Sequence, residues 1–304
     1  MLVQAVQSYL AVRRAAGFAL AQEGWRLSRF AAYSEARGKY HVCSATATEW
    51  AGLARSAPAR ARRLGDVIRF TRYVRAEDAR HELPPPAFGA EHRPRPVPYI
   101  FSEKDLQRAL DAVVHVGRSY SFCKVTYSTL FALMACTGLR VCEAIGLLYE
   151  DLTPDGLLIR RSKFRKARLV PLHPTARAAL EAYLEQRRAF APFDDHVFVS
   201  SRKTALTRRS VDWAFQKIVG KIGLPKAPAR PRPTPHSLRH YFAVRTLETC
   251  PDGRDLISQH MLAVSTVMGH SKVRHTYWYL EATPHLMRDI AERYRRFVAG
   301  ESPS

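Results

Sequence analysis

Acidic side chains are in short supply in this 304-residue chain. Asp and Glu number 27 against 48 Lys and Arg, for a formal charge of +21 and a sequence pI of about 10.2. No acidic cluster stands out that could gather catalytic metal ions, and no GxxxxGK[ST] stretch exists to cradle a nucleoside triphosphate. Neither a metal nor a cofactor is therefore expected. Cysteine is sparse too: Cys43, Cys123, Cys136, Cys142 and Cys250, an odd count with no CxxC pair. These read as reduced core residues of a cytosolic protein rather than as a disulfide framework. Long hydrophobic runs are missing, and no window approaches a membrane span. The N-terminal Met-Leu-Val-Gln-Ala-Val-Gln has no basic segment followed by an apolar one. The expectation is a cytoplasmic protein with no membrane partner.

Apolar residues make up 46% of the chain, enough for real cores in two ordinary domains. The basic excess points to a polyanion, most often nucleic acid. It is spread along the chain, with 14 Lys and Arg against 7 acids in residues 1–88 and 34 against 20 in the rest. A protein basic in both parts suits a clamp on double-stranded DNA and, within the cytoplasm, association with the nucleoid.

Periodicity places helices at about 3–16, 23–37 and 58–78, with a third between them capped by Thr46 or Thr48. The 58–78 helix carries Arg62, Arg63, Arg69 and Arg72 with hardly any offsetting acid, and these read as phosphate contacts. Residues 84–98 hold six prolines and cannot be helical. They read as an extended linker that offers Arg93 and Arg95 to DNA. The resulting plan is a helical domain over 1–83, a linker over 84–98 and a second domain over 99–304. In the second domain, Ser102 opens a helix to about 115, and another covers 119–136. Residues 157–159 and 169–172 form a small hairpin whose basic tip includes Lys163, Arg165 and Lys166. Helices then recur at 174–190, 207–222, 235–249, 255–268, 271–280 and 284–299. The last has an apolar stripe of Leu286, Ile290, Tyr294 and Phe297.

Four short segments carry chemistry. They are Thr137-Gly138-Leu139-Arg140-Val141-Cys142-Glu143, His236-Ser237-Leu238-Arg239-His240, Met268-Gly269-His270, and Tyr279 nine positions after His270. Guanidinium forks match phosphate oxygens in pairs, and a tyrosine hydroxyl can attack phosphorus and hold a strand covalently. Such a set can break and rejoin a phosphodiester without a metal. His236 and His240, one turn apart, could also hold zinc, but no acid follows His236 and no third ligand is evident.

In this order and spacing the segments resemble the tyrosine recombinases, also called the phage integrase family, over most of residues 99–285. The resemblance implies a mainly α fold: a helical core-binding domain, then a mixed α/β catalytic domain with a small hairpin or sheet. It implies that Arg140 and Arg239 bind the scissile phosphate, that His270 hydrogen-bonds it, and that His236 assists proton transfer from Tyr279. Glu143 would orient neighbouring groups. Lys163, eight residues before Pro171, would protonate the departing 5′-oxygen, with Lys166 as the alternative; the family's glycine after the lysine is Phe164 here. Tyr277 competes with Tyr279, but on a helix the two point about 200° apart, and spacing from His270 favours Tyr279. The Tyr-Trp-Tyr-Leu segment resembles a transposon-borne branch of the family. Between His240 and His270 lie 29 residues, more than in many relatives, and residues 249–260 read as an extra loop. The implied activity is site-specific recombination for integration or transposition, within a homotetramer on two DNA sites. The segment after Tyr279 would dock on the neighbouring protomer, and other recombinases of the same element could take part. A type IB topoisomerase and a non-catalytic DNA-binding regulator remain the alternatives.

Overall fold

Apolar residues spaced three and four apart draw four helices into one core in the first part of the chain. These are α1 (Leu2–Ala15), α2 (Ala21–Glu35), α3 (Ser44–Gly52) and α4 (Ala57–Val74). Leu2, Val6 and Leu10 from α1, Leu27 and Phe30 from α2, and Leu64, Val67, Phe70 and Val74 from α4 are buried together. Each such side chain contributes about 1.5–3 kcal/mol when fully buried. Asp66 of α4 is buried among them and is bonded by Arg26 of α2 and by Arg69. Expected caps at Thr46 or Thr48 are not used. Cys43 stands at the cap position of α3, and the Glu82 carboxylate accepts the Ser44 N–H at 2.8 Å. The Thr48 hydroxyl instead donates back to the Ser44 carbonyl. A distant acid has taken the cap's task, which local sequence does not reveal.

The computed structural model describes residues 1–89, 98–116, 122–160, 167–224, 231–249, 254–270, 274–281 and 295. By internal packing the chain divides into Met1–Arg95 and Pro96–Ser304, a boundary inside the proline-rich stretch.

The second unit is again mainly helical. Ser102 caps α5 (Glu103–Asp111), accepting the Asp105 N–H, and a 3-10 turn follows. Next come α6 (Cys123–Thr137) and the short α7 (Val141–Ile145). A three-stranded antiparallel sheet runs in the order β1 (Leu152–Thr153), β2 (Gly156–Ile159), β3 (Arg168–Val170). Leu157 pairs with Leu152 on one side and Val170 on the other. Beyond the sheet are α8 (Pro174–Phe190), α9 (Arg208–Ile222), α10 (His236–Glu248), α11 (Arg254–Val267) and α12 (Arg274–Glu281). Helix α6 is buried on most sides, through Tyr127, Leu130, Phe131 and Met134, and centres the main core with Leu157, Phe198, Phe215 and Leu238. A second cluster joins α10, α11 and α12 through Val244, Leu247, Val264, Met268 and Tyr279.

Two expectations are corrected. Residues 249–260 are not simply a loop, since α11 already begins at Arg254; Ile257, Met261 and Val264 sit at helical spacing in the sequence, and Met261 and Val264 are buried. The described cysteines are not fully buried: Cys43 and Cys123 are partly exposed, Cys123 against the main core, and Cys136 and Cys142 are exposed. Strand β1, two residues long, is too short to have been read from alternation. No described helix is long and apolar enough to cross a membrane.

Candidate active site

The site begins where α6 stops. Gly138 takes a left-handed φ of +65°, which ends the helix; a Cβ there would run into the Phe242 ring. The chain then buries Leu139 and presents Arg140, in extended conformation, as the cap residue of α7. The Gly138 carbonyl accepts a bond of 2.5 Å from Arg239 of α10.

A second helix end lies opposite. The last carbonyls of any α-helix lack intrahelical partners and carry the negative end of its dipole. Helix α11 ends at Val267, and Gly269 follows with φ +63°. Three arginines from distant parts of the sequence bond three successive carbonyls at this end. Arg168 donates Nε to Val267 at 2.7 Å, Arg239 donates to Met268 at 2.7 Å, and Arg140 donates to Gly269 at 2.9 Å. Arg239 is almost wholly buried, at 1% exposure. Desolvation, then the nearby Arg140 charge, push its pKa down to about 10, so it remains a cation at neutral pH.

Glu143 is the counter-charge. Its Oε1 accepts from Arg140 (2.7 Å) and Arg168 (3.0 Å), and its Oε2 from the Arg140 backbone N–H (2.9 Å) and Arg168 (2.8 Å). All four acceptor positions of the carboxylate are thereby filled. Burial alone would push this carboxyl up. The Arg168 bonds, the Arg140 N–H and both guanidinium charges outweigh it and hold the pKa at about 2.

Tyr279 enters from α12. Its side chain is buried at 2% exposure, and its hydroxyl shares a 3.0 Å hydrogen bond with His240 Nδ1. Tyr277, at 51% exposure, faces away. His236 packs edge-on against the His240 ring, with centroids 4.6 Å apart. The His270 ring lies nearly parallel to Tyr279 at 6.2 Å, and its Nδ1 is bonded to Thr276 Oγ1 at 2.8 Å. Arg140 and His236 also line an open cleft of about 470 Å³, together with Arg208, Gln216 and Thr234. Two guanidiniums, three imidazoles and a phenol are thus gathered from separate segments between Arg140 and Tyr279. Such a set can bind a phosphate anion and deprotonate an attacking hydroxyl.

The structure brings Arg140, Glu143, His236, Arg239, His270 and Tyr279 together. Lys163, Arg165 and Lys166 lie outside the described residues, as do Arg93, Arg95 and the Leu286–Ile290–Tyr294–Phe297 stripe. On α4, Arg62 and Arg72 are exposed. Arg69 is half-exposed but bonded to Asp66, and Arg63 donates to the Trp50 carbonyl with its guanidinium over the Trp50 ring. Arg168 is not among the residues that the sequence singles out, and His240 is singled out there only as a possible zinc ligand. For His240 the signal was there, one turn from His236 on the same helix face. For Arg168 it was not, since its partners lie 25 and 99 residues away.

Known proteins resemble this chain in sequence and in fold. Residues 101–285 match the Phage integrase family. A Sinorhizobium fredii protein named integrase/recombinase y4rB is 36% identical over 96% of both chains. The tyrosine recombinase XerD of Rhizobium meliloti is 29% identical over 80% of this chain and 76% of its own. In fold, the Tn1549 transposon integrase, solved in complex with transposon right end DNA, superposes with a TM-score of 0.62 at 18% identity over 96% of this chain and 99% of that one. With the clustered arginines, histidines and tyrosine lying inside the matched region, the chain belongs to the phage integrase family, the tyrosine recombinases.

Proposed function

We propose that this protein is a site-specific DNA recombinase that cuts and rejoins duplex DNA through Tyr279. The observation that carries the reading is the buried Tyr279 hydroxyl, 3.0 Å from His240 Nδ1, in the cluster that joins α10, α11 and α12. Arg140 and Arg239 bind the non-bridging oxygens of the scissile phosphate and stabilise the charge that builds on a pentacoordinate phosphorus. His270 hydrogen-bonds the same group. A phenol is mostly protonated at neutral pH, so its proton must leave as the oxygen attacks; the His240–His236 pair takes it. Attack forms a 3′-phosphotyrosyl link and releases a 5′-oxygen, which Lys163 protonates. The 5′-hydroxyl of a partner strand then reverses the step.

Two such exchanges, within a tetramer on two sites, complete recombination. Integration or transposition of a mobile element is the setting that the S. fredii integrase/recombinase and the Tn1549 integrase support. Other recombinases of that element would join the assembly. The charge of +21 supports a grip on the DNA backbone. Arg62, Arg63, Arg69 and Arg72 would contribute from the helical domain over 1–83, Arg93 and Arg95 from the 84–98 linker, and Arg165 and Lys166 from the catalytic domain over 99–304.

Covalent trapping tests the reading. Nicked duplexes that lose their 5′-hydroxyl end on cleavage should accumulate a protein–DNA adduct with the unsubstituted protein. Tyr279→Phe should abolish the adduct while leaving DNA affinity nearly unchanged, and Tyr277→Phe should retain it. An adduct that survives Tyr279→Phe overturns the assignment. Relaxation of supercoils without exchange between paired sites would mark a topoisomerase instead.

A further inference from the structure

Arg168 has no part in the chemistry just described, yet it is among the most heavily bonded side chains of the site. It opens β3, and its side chain is 8% exposed. One terminal nitrogen reaches each oxygen of Glu143, at 3.0 and 2.8 Å, and Nε reaches the Val267 carbonyl at 2.7 Å. The guanidinium also lies flat against Gly269. A Cβ built on that glycine would sit 2.8 Å from an Arg168 nitrogen, so the close approach requires a residue without one. Gly269 in turn accepts from Arg140 at 2.9 Å, and Arg140 returns to Glu143 at 2.7 Å. Arg168, Glu143, Arg140 and Gly269 form a closed ring. It joins the start of β3, the start of α7 and the turn that carries His270.

We propose that Arg168 is a positioning residue for phosphate-ester cleavage, fixing the Arg140 guanidinium and the Gly269–His270 turn through this ring. The inference rests on the recombinase reading and deepens it. With its fork committed to Glu143 and Val267, Arg168 is poorly placed to bind DNA itself. Glu143 shared with Arg168 cannot swing without breaking four bonds, so Arg140 is held before DNA arrives. Preorganisation of this kind is worth much in catalysis, where a misplacement of about 1 Å can cost roughly 100-fold. A purely structural role would act differently. It would lower folding stability, DNA affinity and cleavage of every substrate together.

The test uses Arg168→Lys in the full chain. Lysine keeps the charge but cannot span two carboxylate oxygens and a carbonyl at once. Duplexes that the unsubstituted protein captures covalently from a randomised pool serve as substrates, in two forms. One has an ordinary scissile phosphate, and the other a neutral methylphosphonate there, which lacks the charge that Arg140 would meet. Arg168→Lys is expected to slow single-turnover cleavage of the phosphate by about 10- to 100-fold, and of the methylphosphonate by less than about threefold. The variant should remain folded at the assay temperature, and its DNA affinity should stay close to the parent's. Arg140→Lys should show the same substrate dependence.

Equal slowing on both substrates, or no slowing, overturns the proposal. If Arg168→Lys does not fold, Glu143→Gln, which leaves Arg168 in place, is measured in the same way. Failure of both to fold assigns the ring to stability and also overturns it. An unsubstituted protein that gives no adduct on either substrate defeats the recombinase reading itself, which is distinguishable from an active protein that is indifferent to Arg168.

Discussion

Replacing Glu143 by glutamine removes the anion that faces Arg140 and Arg168 while keeping the side chain's shape. The cost follows from its titration. The carboxyl, ordinarily at 4.5, is held at about 2 in the folded protein despite burial. A folded-state pKa below the unfolded value means stability that is present above pH 4.5 and lost as the pH falls through 2. A carboxyl lowered from 4.5 to about 2 contributes roughly 3 kcal/mol at pH 7. The same linkage leaves roughly three-quarters of this at pH 4 and less than half at pH 3, as the carboxyl becomes protonated and equivalent to the amide. Urea unfolding of the parent and Glu143→Gln across this range supplies the comparison. Taking the difference between them cancels the titration of all other groups. The gap should close steadily between pH 5 and 3. A gap that is small at neutral pH, or that does not depend on pH, would refute the view that Glu143 is a buried, fully bonded carboxylate between two guanidiniums.

Three further outcomes follow from the same geometry. Arg239→Lys should reduce covalent cleavage by about 100-fold or more, since lysine keeps the charge but not the fork that reaches both Gly138 and Met268; near-normal cleavage by this variant would take Arg239 out of the site. Gly269→Ala should cost at least about 1–3 kcal/mol for its left-handed conformation, measured by denaturation, and should impair cleavage further by displacing Arg168; a neutral effect would contradict the packing of that guanidinium on the glycine. DNA affinity should fall steeply with salt, with a log–log slope of about −5 if roughly six basic side chains neutralise phosphates; a flat response in a binding titration would count against an extensive backbone grip.

The features legible in the sequence are those set by short spacings. Arg140 and Glu143 lie three residues apart, His236 and Arg239 likewise, and His270 and Tyr279 nine. Each pair sits on or beside one helix, so local order carried the geometry. The amphipathic stripe of α4 and the Ser102 cap of α5 were readable for the same reason. What escaped depends on remote partners. Glu82 caps α3 from 38 residues away. Arg168 acquires its meaning only when β3 meets α7 and the end of α11. His240 sits in a readable position, but its bond to Tyr279 spans 39 residues. The choice between Tyr277 and Tyr279 rested on the nine-residue spacing from His270; in the fold Tyr277 faces out, and Tyr279 packs into the cluster of α10, α11 and α12.

The central claim is that Tyr279 is the residue that becomes joined to DNA, and peptide mapping of the trapped adduct tests it most directly. After nuclease trimming and tryptic digestion, the His275–Arg288 peptide contains both candidate tyrosines. Fragmentation should place the residual nucleotide on Tyr279, with Tyr277 unmodified. A nucleotide on Tyr277, or on any residue outside this peptide, would contradict the account.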